Sequence, residues 1–341
     1  MGFGSADSDR HLAVHVPRLA RRAEASGGTL LVEGSVLCAD LSGFTRLSER
    51  FATVGRHGAE EVTAVLDAAF TAILGPAIDR GGDVLAFGGD AATIGFTDDG
   101  HAARAVGAAA AMQQALLAIA RPIAPSRVRL RMTIGVATGP VLAELVGDRQ
   151  RALVVVGETV ARAVRLHHAA SPGQVLVAGP QLAAPPGARW GPAVDDTTAR
   201  RLDWRKARPG DVEVDVASET LGATAAALIP PMLRDTIRGT RTPGELRRTT
   251  TAFIVAPDVG EVDPPSWGST RRRVEVLVSA IERATERWGV CWLATDLGEG
   301  SLSFILTAGT PVATGHYEER MVGAIGTVLE SVPSDWIRVG L

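Results

Sequence analysis

The chain has 341 residues, 46% hydrophobic and 21% charged, with a formal net charge of -3; at roughly 150 residues per domain this predicts two domains with packed cores and excludes wholesale disorder. The slight acidity excludes the basic footprint of a nucleic-acid binder, and no run of about 18 apolar residues is present to span a bilayer. No basic-then-apolar leader opens the sequence, and two distant cysteines, Cys38 and Cys291, build neither a disulfide framework nor a zinc site, so a cytoplasmic protein is expected.

Residues 1–30 read as a helical extension, with helical spacing over His11–Arg22 interrupted by Pro17. Val36 to Ala39 is a short apolar run ending in Asp40, which predicts a buried strand. Ser42 to Thr45 opens a helix; a second follows, with Val62, Val65, Leu66, Ala69, Phe70, Ile73 and Leu74 on one face, and Gly81-Gly82 stops it. Val84–Phe87 and Ala91–Phe96 predict a hairpin turning at Gly88-Gly89-Asp90. An Ala-rich helix over 102–120, a strand over 127–137 with a turn beginning at Gly139, a strand at Val154–Val156, a helix to His168 and a strand over 174–177 complete the set. Alternation of this kind predicts an α+β sheet covered by helices.

Residues 181–245 are Pro-rich, charged and weakly periodic, and predict a connector with some helix near 220–238. From 249 onward the pattern is strand (250–256), helix (272–287), two strands (290–294 and 301–306) and helix (318–329), which repeats the order of residues 35–120. A diverged internal repeat is the simplest reading. Trp336–Gly340 then corresponds to Arg131–Gly135, so the second copy is expected to be cut short.

Asp40 and Asp90 carry the chemistry. Each sits at a strand end beside a glycine-containing turn, and two carboxylates brought together repel unless they share a proton or bind cations. Oxygen ligands without His or Cys favour Mg²⁺ or Mn²⁺. The turn at Ser42–Thr45 offers backbone N–H groups at a helix start, which suits phosphate. Read singly, the two aspartates are more simply a strand-end cap and a hairpin-turn residue; it is the pair with its flanking sequence that points to chemistry.

The segment Val36-Leu-Cys-Ala-Asp-Leu-Ser-Gly-Phe-Thr45 resembles the signature strand and turn of class III nucleotidyl cyclases, and Gly81-Gly-Asp-Val-Leu-Ala-Phe-Gly-Gly-Asp90 resembles their second metal-binding hairpin. Ile134–Gly139, Val146–Asp148 and Val156–Val160 followed by Arg165 are similar to the later blocks, in order. The resemblance covers about residues 31–180, and residues 249–341 resemble the opening half of a second such domain. The tandem arrangement and the Val-Arg-Leu ending at Leu166 look most like the soluble, bicarbonate-responsive adenylyl cyclase group.

The resemblance implies a ferredoxin-like βαββαβ cyclase domain over 31–180, a connector over 181–248, and a second, diverged and truncated copy over 249–341. It implies formation of 3′,5′-cyclic AMP and pyrophosphate from ATP, with GTP a possible substrate, using two Mg²⁺ or Mn²⁺ ions. Asp40 and Asp90 match the metal positions, with the Leu41 carbonyl as a further ligand. Gly43, Phe44 and Thr45 match the phosphate-binding turn, and Arg149 the basic position at the terminal phosphates. Family sites are completed by a second domain, in cis or from another chain, that supplies a purine-reading Lys, an Asp or Thr, and an Asn and Arg. In the first domain these positions are Ala86, Val154 and Ala161, with only Arg165 kept. The second domain has no basic residue in Val290–Ala294 where the Lys is expected, although Asp258 is expected to echo Asp40. Arg165 also matches a regulatory bicarbonate pocket, for which Ala86 removes the Lys. Two functions follow: a cyclase core, or a degenerate cyclase-like sensor that binds nucleotide without turnover and regulates a larger protein.

Overall fold

A computed structural model describes residues 12, 14–42, 56–119, 130–179, 183–194, 199–210, 225–238, 248–259, 266–298 and 300–341, with no account of the side chains of 56–66, 119, 225, 226, 235, 236 and 238. In chain order the elements run α1 (Arg18–Ala25), β1 (Thr29–Ser42), α2 (Arg56–Ile78), β2 (Asp83–Gly88), β3 (Ala91–Phe96), α3 (His101–Ile119) and β4 (Arg131–Val146). There follow β5 (Ala152–Val156), α4 (Glu158–Ala169), β6 (Val175–Ala178), β7 (Arg189–Ala193), β8 (Ala199–Asp203), a short 3₁₀ turn (Ala225–Leu228) and α5 (Pro231–Arg238). The last stretch is β9 (Thr250–Pro257), α6 (Trp267–Trp288), β10 (Cys291–Gly298), β11 (Ser301–Ala308), α7 (Tyr317–Ser331) and β12 (Arg338–Gly340). The chain divides into two compact units. One is Val32–Val141 with Glu158–Val216; the other is Met1–Leu31, Leu142–Gly157 and Ala217–Leu341.

The first of these carries strands in the order β2-β3-β1-β4-β6-β8-β7. Alternate residues of each strand face the helices: Leu37, Ala39 and Leu41, then Ala92, Ile94 and Phe96, then Met132, Ile134 and Val136 share one core with Ala69, Ile73 and the Ala-rich face of α3. The many alanines of α3 let that helix lie close to the sheet. Gly135 does the same on the opposite face, where a Cβ would come within 2.2 Å of the Ala163 carbonyl oxygen and 2.4 Å of the His167 nitrogen.

Two expectations are corrected here. The stretch read as a connector with some helix near 220–238 also contains β7 and β8, and β8 pairs with β6 to extend the sheet, burying Leu202 and Trp204. Its charged residues, Arg200, Arg201 and Asp203, mask the pattern because such an edge hairpin shows most of its side chains to solvent. The turn expected at Gly139 does not interrupt the strand: β4 continues to Val146 because β5 pairs with residues 142–146. That partner lies beyond any local signal.

The second unit holds a four-stranded sheet in the order β10-β11-β9-β12. Its strand–helix–strand–strand–helix–strand path and its strand order parallel those of β2-β3-β1-β4. Ile254, Phe304 and Leu306 on the strands, with Leu277, Ile281, Met321 and Val328 on α6 and α7, are buried. The Trp288 indole N–H donates to Thr327 Oγ1 at 2.9 Å across the two helices. No helix among the described residues is long and apolar enough to cross a membrane.

Candidate functional site

Asp40 lies on β1 between two buried neighbours, Ala39 and Leu41, whose side chains enter the helix-covered core. Strand alternation therefore sends the Asp40 side chain to the other face of the sheet. In the β1–β3 register Asp40 stands opposite Ala91, the first residue after the hairpin turn, and the Leu41 N–H donates to the Asp90 carbonyl oxygen at 3.4 Å. The two aspartates, fifty positions apart in sequence, thus become neighbours through strand pairing.

Their carboxyl groups meet. Burial holds the Asp40 carboxyl above the usual carboxylate range; the charge of Asp90 and a side-chain hydrogen bond shared with it push the same way, outweighing His168 and the Leu41 N–H. Two carboxyl groups held this close repel unless they share a proton or a cation lies between them. Among the described residues no third His, Cys, Asp or Glu joins a metal-holding group. Two carboxylates with a strand-end carbonyl fit Mg²⁺ or Mn²⁺, which keep water or substrate oxygens in their remaining positions. They do not fit zinc.

Other expected residues fall in different places. Leu41 is buried beside Asp40. Gly43, Phe44 and Thr45 lie outside the described residues. Arg165 projects from α4 and pairs with Glu158 at 2.5 Å, both partly exposed. Ala86 is on β2, where it faces Thr93 across the hairpin, and Val154 and Ala161 are buried. Arg149 belongs to the other compact unit, at the tip of the β4–β5 hairpin, where its guanidinium donates to Glu286 of α6.

Register also fixes what the second sheet carries at equivalent positions. Ala91 pairs with Asp40 and Gly88 in the first sheet, and Ser301 pairs with Pro257 and Gly298 in the second. Pro257 therefore corresponds to Asp40 and Gly300 to Asp90. Asp258, expected to echo Asp40, is one residue further on, with a left-handed φ of 59°. The position corresponding to Ala86 is Asp296, opposite Ser303, rather than a residue within 290–294. Asp296 is an acid whose carboxyl is pushed up by burial, against a hydrogen bond from the Leu297 N–H. The second sheet has no carboxylate pair at the equivalent of the first. Sequence reading missed Asp296 because β10 (Cys291–Gly298) is longer than β2 (Asp83–Gly88), so a count made from the preceding helix stops short of the equivalent position.

Several solved structures resemble the chain. The adenylyl cyclase CyaB from P. aeruginosa is 22% identical, with 51% of this chain and 94% of that chain covered and a TM-score of 0.42. The guanylyl cyclase Cya2 is 25% identical over 51% of this chain and 92% of that one, with a TM-score of 0.40. A bacterial light-regulated adenylyl cyclase is 18% identical over 60% of this chain and 63% of that one, with a TM-score of 0.46. Comparison with curated proteins finds no match. The family model of the adenylate and guanylate cyclase catalytic domain matches residues 32–183. Over that segment, which includes both Asp40 and Asp90, the chain is similar to a cyclase catalytic domain.

Proposed function

We propose that the segment around Asp40 and Asp90 is the metal-bearing half of a nucleotidyl cyclase that converts ATP to 3′,5′-cyclic AMP and pyrophosphate in intracellular signalling. The observation that carries this reading is that the Asp40 and Asp90 carboxyl groups meet, half-buried, on the face of the sheet turned away from α2 and α3. Asp40, Asp90 and the Leu41 carbonyl would hold two Mg²⁺ or Mn²⁺ ions. When bound, such ions neutralise phosphate charge and lower the pKa of a coordinated hydroxyl. In the reaction the ribose 3′-oxygen bonds to the α-phosphorus as its proton leaves, and the bond from that phosphorus to the pyrophosphate oxygen breaks. The chain's contribution is to fix the two carboxylates on paired strands, so that they need no reorganisation as charge develops. Gly43, Phe44 and Thr45 are proposed to seat phosphates. Arg149 is proposed for the terminal phosphates, a role that requires its release from Glu286.

A complementing cyclase domain, in cis or from another chain, is needed for the base, because Ala86, Val154 and Ala161 offer it no polar group. The tandem topology supports the likeness to the soluble bicarbonate-responsive group. Arg165, paired with Glu158 and lacking a Lys at Ala86, gives bicarbonate itself weak support. Those same apolar positions favour a second reading, a sensor that binds nucleotide without turnover. With a complementing cyclase domain supplied alongside it, the chain with ATP or GTP and Mn²⁺ is expected to yield cyclic nucleotide, and Asp90→Ala to lower the rate at least about 100-fold. Metal-dependent ATP binding without product, lost in Asp90→Ala, would establish the sensor instead. Equal ATP binding and equal turnover in both proteins would overturn both readings.

A further inference from the structure

A cavity of about 670 Å³ opens within the first unit, at the edge of the helix-covered core, and neither Asp40 nor Asp90 lines it. Its inner wall is apolar: Leu116 of α3, Leu130 just ahead of β4, Leu202 of β8 and Trp204 belong to that core and are each at most 6% exposed. Leu117, the next residue of α3, lines it too and is 56% exposed. Hydrogen bonds hold this wall in place. Gln114 donates Nε2–H to the carbonyls of Trp204 at 3.2 Å and Ala207 at 2.8 Å, and the Trp204 indole N–H donates to the Gly173 carbonyl at 3.0 Å. A cavity of this size, apolar inside and framed by fixed backbone, has the dimensions of a small-molecule site.

Two polar features set its chemistry. Gln113 is only 3% exposed, and its Nε2 donates to the Met132 carbonyl at 2.8 Å and to the Gln174 carbonyl at 3.4 Å. Both amide hydrogens are thereby used, so the acceptor Oε1 is what Gln113 offers the cavity it lines, and no donor among the described residues meets it. Around the opening three arginines, Arg131, Arg201 and Arg205, stand against one acid, Asp203; all four are exposed, and among the described residues no ion pair joins them. The Arg205 guanidinium lies 5.2 Å from the centroid of the Trp204 ring, which places a cation beside the largest aromatic group of the wall. We propose that this cavity binds a flat, apolar organic anion that carries one N–H or O–H group. Its ring system would lie against Trp204 and the leucines, its donor on Gln113 Oε1 and its acid group among the arginines. An uncharged ligand would leave the arginines unused, and one without an apolar body would leave the leucine wall in water.

The test uses the full chain in EDTA with anilinonaphthalene sulfonate as the probe, which has an aromatic body, one N–H and one sulfonate. Titration is expected to give a saturable rise in fluorescence and to raise the melting temperature, as a ligand of the folded state must. Leu117, Arg131 and Arg205 are exposed, so substituting them spares the core. Arg131→Ala with Arg205→Ala is expected to weaken binding at least about 10-fold at low salt. Leu117→Trp, which fills the opening, is expected to weaken it by at least as much. Phenylnaphthylamine, the same body without the sulfonate, is expected to bind the parent chain more weakly and to ignore the arginine substitutions. Failure of the sulfonate probe to bind, a fall in melting temperature, or unchanged affinity in either variant would overturn the proposal. No metal or nucleotide enters this test, so failure here leaves the cyclase reading untouched, and failure of cyclase activity leaves this site untouched.

Discussion

Asp40 and His167 show how single side chains are set by what lies beside them. Asp40 was legible as a site residue because a short apolar run ends at it and because the sequence around it and Asp90 is distinctive. What the sequence alone does not convey is that the two carboxyl groups share a hydrogen bond, which depends on the β1–β3 register. Asp258 shows the opposite case. It looks like a second Asp40, yet one residue of slip leaves Pro257 in that position, and nothing local marks the slip. His167 carries a pH prediction. Burial and the neighbouring charge of His168 lower its pKa from 6.5 to about 4, and its Nδ1 is buried without a hydrogen-bond partner. The neutral form is the one that fits the fold, so its contribution to stability is present above pH 6.5 and is lost as pH falls from 6.5 towards about 4. Thermal melts across that range are expected to show a decline that His167→Gln flattens; an identical decline in the variant would contradict this assignment.

Elements extend these constraints along the chain. Helices α2, α3, α4, α6 and α7 and the strands at both hairpins were legible, since each repeats apolar residues at its own period over enough length. The β7–β8 hairpin was not. Its strands are five residues each and its polar side chains face outward, so few side chains, Ala199 and Leu202 among them, report the core. The contact between α4 and β4 was also illegible, although one glycine permits it. Gly135→Ala is expected to destabilise the fold by roughly 2–4 kcal/mol, because the clash is with backbone atoms that cannot step aside. Chemical denaturation measures this. A loss below about 0.5 kcal/mol would show that α4 can shift outward at little cost.

At the scale of the whole molecule the order of elements was legible but not the division into units, because residues 142–157 belong to the unit of the second sheet rather than that of the first. A buried carboxylate helps to hold them there. Glu144 is fully buried and accepts from the Thr29 hydroxyl at 2.8 Å and the Trp267 indole N–H at 3.2 Å, with the Arg271 guanidinium 3.2 Å from its other oxygen. Removing the cation leaves a buried charge uncompensated. Arg271→Ala is expected to lower stability by roughly 3 kcal/mol, and Glu144→Gln in the same chain to restore part of it. Additive losses in the double variant would show that the two groups do not act as a pair.

The proposed cyclase function depends on Asp40 and Asp90 acting jointly on a divalent cation. The most direct measurement is Mn²⁺ binding to the full chain, followed by the loss of free Mn²⁺ signal in electron paramagnetic resonance, for the parent protein, Asp40→Asn and Asp90→Asn. Saturable binding in the parent, weakened at least about 10-fold by either substitution, is the expected result. Equal Mn²⁺ binding in all three proteins would contradict it.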